Sequence, residues 1–130
     1  MGNISEVHEP ATVYGLANTG VSKSDFLSFV AESGLNLTEF SALLPVSKRT
    51  IEKVKDADLL SPQVSDRLLS LISLYQFGHQ VLGDKELFKL WLKTPILALS
   101  SKRPLDFLNN ETGISLVRDL LGRLEHGVYS

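Results

Sequence analysis

The sequence predicts an all-α fold of about seven helices arranged as two small helical subdomains. Apolar residues recur three or four residues apart along most of the chain, as they do on the buried face of an α-helix. No run alternates apolar and polar residues in the way that a half-buried strand does. Glycines and prolines separate the apolar runs and mark the ends of the helices.

Composition and spacing exclude several classes of function. The net charge of -2 gives no global attraction for nucleic acid, so DNA binding would need a local basic patch. There is no cysteine, and His8, His79 and His126 are too widely separated for the spacing of metal ligands. We also find no glycine-rich phosphate loop, no secretory signal and no apolar run long enough to span a membrane. The sequence therefore predicts a binding protein without a metal or cofactor.

Residues 1–20 are polar, and Pro10, Gly15 and Gly20 interrupt them. We interpret this segment as an arm with at most one short ordered piece near Val13, since chain termini are often poorly ordered.

Two short helices follow the arm. Ser24 or Asp25 is placed to cap the first helix, and Gly34 to end it. Thr38 is placed to cap the second helix, which Pro45 stops because a proline disfavours helical geometry in the residue before it.

The third helix is the candidate DNA-binding element. Ser47 caps it, it runs to about Lys55, and Ile51 and Val54 form its inward pair. Two short helices joined by a tight turn, followed by a longer helix, form a helix-turn-helix pattern, and the turn here is Leu44-Pro45-Val46-Ser47. The candidate DNA-binding residues are Ser47, Lys48, Arg49, Thr50, Lys53 and Lys55.

The charge of this third helix favours contact with a polyanion. From Ser47 to Lys55 the chain carries four bases against one acid. Arg49 and Lys53 are one turn apart, a spacing suited to neighbouring phosphates or base edges. The alternative is an ordinary solvated helix face, and the residues alone leave both interpretations open.

A long amphipathic helix comes next. Ser61-Pro62 is a start signal, because a capping residue precedes a proline at the first helical position. The apolar residues between Val64 and Tyr75 follow helical spacing, and we expect the helix to end near Phe77-Gly78. The residues expected on its polar side are Ser65, Asp66 and Arg67.

The C-terminal part is predicted to contain three shorter helices. Asp84 caps the first, whose inward face is Leu87, Phe88, Trp91 and Leu92 and which ends at Thr94-Pro95. Trp91 is expected in the core, with an exposed interface anchor as the alternative.

Arg103-Pro104 then starts a short helical turn. Thr112 caps the last helix, and Gly127 ends it in a left-handed conformation. The residues expected on its inward face are Ile114, Val117, Leu120, Leu121 and Leu124.

From about Gly20 onward the sequence resembles the Xre/MbcA/ParS-type antitoxins. The C-terminal pieces that carry the resemblance are Gly83-Asp84, Trp91-Leu92, Thr94-Pro95, Ala98-Leu99, Arg103-Pro104-Leu105-Asp106, Leu108, Gly113, Val117, Leu121-Gly122-Arg123 and Glu125-His126-Gly127-Val128. The N-terminal pieces are Ser47-Lys48-Arg49-Thr50, Ser61-Pro62 and Ser65-Asp66-Arg67. The chain departs from the family at Pro45, where the turn usually has glycine, and at Ser100-Ser101, where the family often has two glycines.

The resemblance implies a cytoplasmic, non-enzymatic antitoxin whose partners are a cognate RES-domain toxin and operator DNA. RES-domain toxins consume NAD or transfer ADP-ribose from it, and the antitoxin covers the active-site cleft. Residues 21–78 would then be an Xre-like helix-turn-helix subdomain that represses the operon as a homodimer. Residues 79–130 would be the toxin-binding domain. The alternative is a stand-alone dimeric helix-turn-helix regulator without a toxin partner.

The end of the chain is the candidate toxin-binding segment. Its residues are Arg123, Glu125, His126, Gly127, Val128, Tyr129 and Ser130. Tyr129 offers apolar area and a hydroxyl at a low entropic cost. Glu125 and the terminal carboxylate are anionic, and a site for the pyrophosphate of NAD is expected to carry basic groups. We therefore expect these residues to enter the toxin's site, with a frayed, solvated end as the alternative.

Overall fold

The computed structural model describes residues 20–127, and every regular element in that range is helical apart from two isolated β-bridges. The α-helices are α1 (Lys23–Glu32), α2 (Leu37–Ser41), α3 (Lys48–Glu52), α4 (Pro62–Leu82), α5 (Lys85–Leu92) and α6 (Glu111–His126). Two 3₁₀ helices span Leu97–Leu99 and Pro104–Phe107. The all-α prediction is confirmed, and among the helices of residues 20–127 the first 3₁₀ helix is the one that the sequence did not predict. The predicted arm, apart from Gly20, lies outside the described residues.

The described residues divide into two units after Ile72. Helices α1 to α3 and the first half of α4 form the first unit. The second half of α4, the two 3₁₀ helices, α5 and α6 form the second unit.

Three phenylalanines hold the first unit together. The ring of Phe40 lies 5.6 Å from that of Phe26 and 5.7 Å from that of Phe29, and both pairs meet edge to face. All three side chains are buried. Because edge-to-face aromatic pairs add to the energy of burial, this cluster fixes α1 against α2.

The N-terminal caps of α1 and α2 differ from the predicted ones. Ser22, rather than Ser24 or Asp25, accepts the capping hydrogen bond of α1. Asn36, rather than Thr38, caps α2 in a reciprocal capping box with Glu39. The true cap lies two or three residues before the predicted ones in α1 and two residues before in α2. At both positions the backbone is extended and the side-chain oxygen accepts from the third helical N–H group.

Helix α3 starts where predicted but is shorter. Ser47 caps it, and its last helical residue is Glu52 rather than Lys55. The Lys23 ammonium group donates hydrogen bonds to the carbonyl oxygens of Glu52 at 3.1 Å and Val54 at 2.7 Å. A side chain from α1 thus satisfies carbonyl groups at the end of α3. Val54 is only half-buried, so Ile51 alone is the core residue of this helix.

Helix α4 begins at Pro62 as predicted, with the Ser61 hydroxyl accepting from the Val64 N–H group. Ser65 is completely buried, which corrects its predicted position on the polar side. Its hydroxyl accepts from the Val21 N–H group and donates to the carbonyl of Leu60. These two bonds allow a polar side chain to be buried next to the apolar core.

The end of α4 lies at Leu82, beyond the predicted end near Phe77-Gly78. Gly83, with a φ of 75°, ends the helix in the left-handed region. Gly78 lies inside the helix. It is a glycine because a Cβ atom there would be 2.1 Å from the Phe88 ring. This glycine permits close packing and does not mark a helix end.

The second unit is built around Phe88. Its ring meets Tyr75 at 5.0 Å and His79 at 5.6 Å, both edge to face. On the other side of α4, Arg118 donates a hydrogen bond from Nη2 to the Ser73 hydroxyl. The same guanidinium lies 4.9 Å above the centre of the Phe77 ring, so it links α6 to α4 by both a hydrogen bond and a cation–π contact.

Helix α6 closes this unit. Asn110, rather than the predicted Thr112, caps the helix through the Gly113 N–H group. Gly127 ends it with a φ of 66°, as predicted. Of the predicted inward residues, Ile114, Val117 and Leu121 are buried, whereas Leu120 and Leu124 are only half-buried.

Candidate functional sites

The first candidate surface is the outer face of α3. All six predicted DNA-binding residues are exposed, and they are Ser47, Lys48, Arg49, Thr50, Lys53 and Lys55. Ile51, which is 1% exposed, attaches the helix to the core from the opposite side. The helix therefore presents its polar side chains to solvent.

The hydroxyl groups and charges of this face have different local partners. The Ser47 hydroxyl accepts from the Thr50 N–H group and lies 3.0 Å from the Thr50 hydroxyl. Lys48 forms a long, exposed ion pair of 3.9 Å with Glu52, of the kind that contributes little to stability. Within residues 20–127, Arg49 and Lys53 have no ion-pair partner, so their charges are available to an external ligand.

Two side chains that the sequence analysis did not single out for this surface hold α3 in place. Lys23 binds carbonyl groups at the end of α3, as described above. Arg67 donates from Nη1 to the carbonyl of Leu43, in the connection between α2 and α3, at 2.8 Å. Neither contact has a local sequence signal, because each joins residues at least 24 positions apart.

The second candidate surface is the last turn of α6. Arg123, Glu125 and His126 are exposed there, and Gly127 ends the helix. The imidazole of His126 lies 3.7 Å from the Glu125 carboxylate. Val128, Tyr129 and Ser130, the other predicted toxin-binding residues, lie outside the described residues.

Helix α5 exposes apolar side chains that the helical pattern did not predict. Leu87 was expected to face inward but is 45% exposed, and Leu90 is 65% exposed. Trp91 is half-buried and stacks on Phe88, with ring centres 6.1 Å apart, so the core interpretation is only partly correct. The side chains of α5 that are fully inside are Phe88 and Leu92.

The loop after α5 has a defined backbone. The N–H group of Ile96 donates to the carbonyl of Lys102, and the N–H group of Ser101 donates back to Ile96. Ser100 and Ser101 have φ angles of 57° and 63°, in the left-handed region that favours glycine. These are the two positions where the resembling family often has glycine.

An ion pair closes the turn that follows this loop. The Arg103 guanidinium donates to the Asp106 carboxylate at 2.7 Å, and the Arg103 N–H group donates to the same carboxylate at 3.1 Å. The hydrogen bond from the Arg103 side chain lowers the pKa of Asp106 below its ordinary value. The pair caps the second 3₁₀ helix, so the two residues have a structural role.

Residues 20–127 contain neither a cluster of metal ligands nor a helix suited to crossing a membrane. No three His, Asp or Glu side chains of residues 20–127 lie close enough together to hold a metal ion. No helix in the described part of the chain has the length and apolar character needed to cross a membrane.

Two family models match the chain in series. Residues 13–73 match the antitoxin Xre-like helix-turn-helix domain. Residues 78–127 match the antitoxin Xre/MbcA/ParS C-terminal toxin-binding domain.

Individual antitoxins and one solved toxin–antitoxin complex are also similar to this chain. An antitoxin Xre from Yersinia enterocolitica is 38% identical over 71 residues, which cover 54% of this chain and 48% of the relative. The chain thus matches about half the length of that relative. A Prs ADP-ribosylating antitoxin from Sphingobium sp. is 24% identical over 93% of this chain and 82% of the relative. A chain of the M. tuberculosis MbcT-MbcA toxin–antitoxin complex has the same fold, with a TM-score of 0.58 and 19% identity over 95% of this chain and 100% of that chain.

Proposed function

Because the chain belongs to the Xre/MbcA/ParS-type antitoxins, we propose that it neutralises a cognate RES-domain toxin and represses its own operon. The observation that carries this proposal is the order of the two family matches, a helix-turn-helix domain followed by a toxin-binding domain. We assign operator binding to residues 21–78 and toxin binding to residues 79–130.

The exposed charges of α3 support the assignment of operator binding. Arg49 and Lys53 lie one turn apart on the solvent side, opposite the buried Ile51. An arginine side chain can read the edge of a guanine, and both arginine and lysine side chains bind phosphates. This helix is therefore the recognition element of the proposed complex. We assign phosphate contacts to Lys48, the first residue of α3, and to Lys55, three residues beyond the last.

The last turn of α6 supports the assignment of toxin binding. Arg123, Glu125 and His126 are solvent-exposed, and Gly127 sets the direction in which the chain leaves the helix. In the proposal, Val128, Tyr129 and Ser130 continue into the active-site cleft of the toxin. The antitoxin acts there by occupancy, as a cytoplasmic homodimer, without catalysis or a cofactor.

Toxin neutralisation is tested in a bacterial host that expresses the RES-domain protein of the same operon. The full chain should restore growth, and a variant that lacks Val128 to Ser130 should not. Operator binding by the truncated protein serves as the control for folding. Equal protection by both proteins would show that the C-terminal residues are not the inhibitory segment.

Operator binding is tested by gel shift on the promoter of the same operon. Arg49→Ala should weaken binding by about 1–3 kcal/mol if the side chain reads a base, and adding Lys53→Ala should also lower the salt dependence. The matched control is Lys85→Ala with Lys102→Ala, which removes the same charge from the second unit. Equal affinity of the Arg49, Lys53 double variant and the parent chain would exclude this surface.

A further inference from the structure

The second unit carries most of the exposed apolar side chains. Within residues 20–127, the large exposed hydrophobic residues are Leu59, Leu87, Leu90, Leu97 and Leu116. All but Leu59 fall inside the range 78–127 that matches the toxin-binding domain. Three of them, Leu87, Leu90 and Leu97, lie in α5 and in the loop that follows it, and we call these three the leucine surface. Leu87 and Leu90 lie one turn apart on α5, and exposed apolar groups of this kind commonly mark interaction sites.

Leu97 is the most exposed of the three, at 88%. The backbone around it is held by hydrogen bonds, since the N–H groups of Leu99 and Ser101 both donate to the carbonyl of Ile96. Leu99 in the same turn is buried and anchors the loop to the core. A leucine presented on a backbone that is already ordered loses little further entropy on binding.

The segment of the chain that carries the leucine surface has an excess of basic residues. Between Asp84 and Asp106 the chain carries five bases and three acids, whereas the whole chain has a net charge of -2. The ion pairs Lys89–Glu86 and Arg103–Asp106 each cancel one base against one acid, so the segment keeps a net charge of +2. A partner with carboxylates around an apolar pocket would be complementary to both features.

This charge pattern argues against a second copy of the chain as the occupant. In a twofold dimer the same patch lies on both sides of the contact, so two segments that each carry a net charge of +2 would be brought together. Like charges placed opposite each other disfavour such a contact. The occupant is therefore a different protein, and the match of this region to a toxin-binding domain identifies it as the toxin.

We infer that the leucine surface docks into an apolar, carboxylate-rimmed pocket of the toxin, at a place separate from the contact made by residues 123–130. This inference rests on the proposed function, because it adds a second contact to the same complex. It predicts that affinity depends on an apolar side chain at position 97 and on the sign of any charge placed there.

The test is the dissociation constant of the purified full-length chain for the RES-domain protein of the same operon. Leu97→Ala should weaken binding about tenfold through lost apolar burial. Leu97→Asp should weaken it at least about a hundredfold, because it places a carboxylate against the acidic rim. Leu97→Lys has a charge of the opposite sign and should bind better than Leu97→Asp.

The controls separate docking from folding and from self-association. All Leu97 variants should keep the parent's thermal midpoint, operator affinity and mass in solution, because the side chain is 88% exposed. Leu59→Asp, at an exposed leucine of the first unit, should bind the toxin like the parent.

Three outcomes would contradict the inference. Unchanged toxin affinity in Leu97→Asp would overturn it while leaving the proposed function intact. A Leu97→Asp protein that loses its dimer but keeps its toxin affinity would assign the surface to a second copy. A parent chain that does not bind the toxin at all would overturn the proposed function together with the inference.

Discussion

The two units differ in what they leave on their surfaces. In the first unit, Leu59 is the one exposed large hydrophobic residue of the described range, and α3 displays bases. Among the described residues of the second unit four leucines are exposed, and three of them lie in or just after α5. A basic helix suits a polyanion, whereas exposed leucines suit a protein surface. The difference is consistent with two domains that bind chemically different partners.

The two units also differ in how their short elements are held. In the first unit, side-chain donors from Lys23 and Arg67 bind backbone carbonyls at the edges of α3. In the second unit, Gly78 and Gly113 let neighbouring groups approach to distances that any Cβ atom would prevent. The first arrangement relies on polar contacts, which adjust to small changes, and the second relies on close packing, which does not.

The largest effect is therefore expected from Gly113→Ala. A Cβ atom at this position would lie 1.7 Å from the carbonyl oxygen of Phe107, so the backbone of α6 or of the second 3₁₀ helix must move. We expect a loss of at least about 3 kcal/mol in the free energy of unfolding. The fluorescence of Trp91, the only tryptophan in the chain, reports unfolding of the second unit.

Gly122→Ala is the matched control in the same helix. Nothing lies within 4 Å of a Cβ atom built at Gly122. Alanine favours the helix over glycine by about 0.8–1 kcal/mol, so this variant should be more stable than the parent. Equal stability of the two variants would show that contact with the Phe107 carbonyl does not limit the second unit.

A smaller effect is expected from Lys23→Met in the first unit. Methionine keeps much of the apolar stem but removes the donor to the carbonyls of Glu52 and Val54. We expect a loss of about 1–2 kcal/mol in unfolding free energy, together with weaker operator binding, because the end of α3 is then less fixed. Lys55→Met, which removes an exposed charge, should change stability by less than about 0.5 kcal/mol. If both variants are equally stable, the lysine contact is not what holds α3.

Local signals predicted the helices well and their long-range partners poorly. Ser47, Pro62 and Gly127 mark helix ends through their own backbone and side-chain chemistry, so their roles were readable from the sequence. The sequence predicts a helix end at Gly78, but this position requires glycine because the Phe88 ring packs against it. That contact arises only in the folded chain, so no local signal reveals it.

The same limit applies to polar and apolar faces. Ser65 is buried because its hydroxyl bonds to the Leu60 carbonyl and accepts from the Val21 N–H group, which lies 44 residues away in the sequence. Leu87 is exposed although it follows the helical period, because the second unit covers only part of the apolar face of α5. Periodicity indicates which side chains are apolar, but only packing decides which of them are covered.

Replacing Ser100 and Ser101 by glycine should stabilise the second unit, because it removes backbone strain without adding a contact. Both serines lie in the left-handed region, which costs a residue with a Cβ atom about 1–2 kcal/mol. Glycine removes this strain, but it also raises the conformational entropy of the unfolded chain, which offsets part of the stabilisation. We therefore expect a net gain of about 0.5–1 kcal/mol in the free energy of unfolding. Ser115→Gly, at an exposed position inside α6, should instead lower stability by about 0.5 kcal/mol. A loss of stability in the loop variant would contradict this account.

The smallest effect concerns the charge of Asp106. The hydrogen bond from Arg103 lowers the pKa of Asp106 in the folded chain, so the ionised carboxylate stabilises the fold at neutral pH. This contribution is complete above the unfolded value of about 3.9 and is lost as the pH falls through the lower folded value. Because the carboxylate side chain is 39% exposed, solvent screens the pair and the effect remains small.

Asp106→Asn keeps an oxygen that accepts from the Arg103 N–H group but removes the charge. Urea unfolding should show the parent more stable than this variant at pH 7, with the difference shrinking toward about pH 2. A difference that stays constant with pH would mean that the Arg103–Asp106 pair acts through its hydrogen bonds alone.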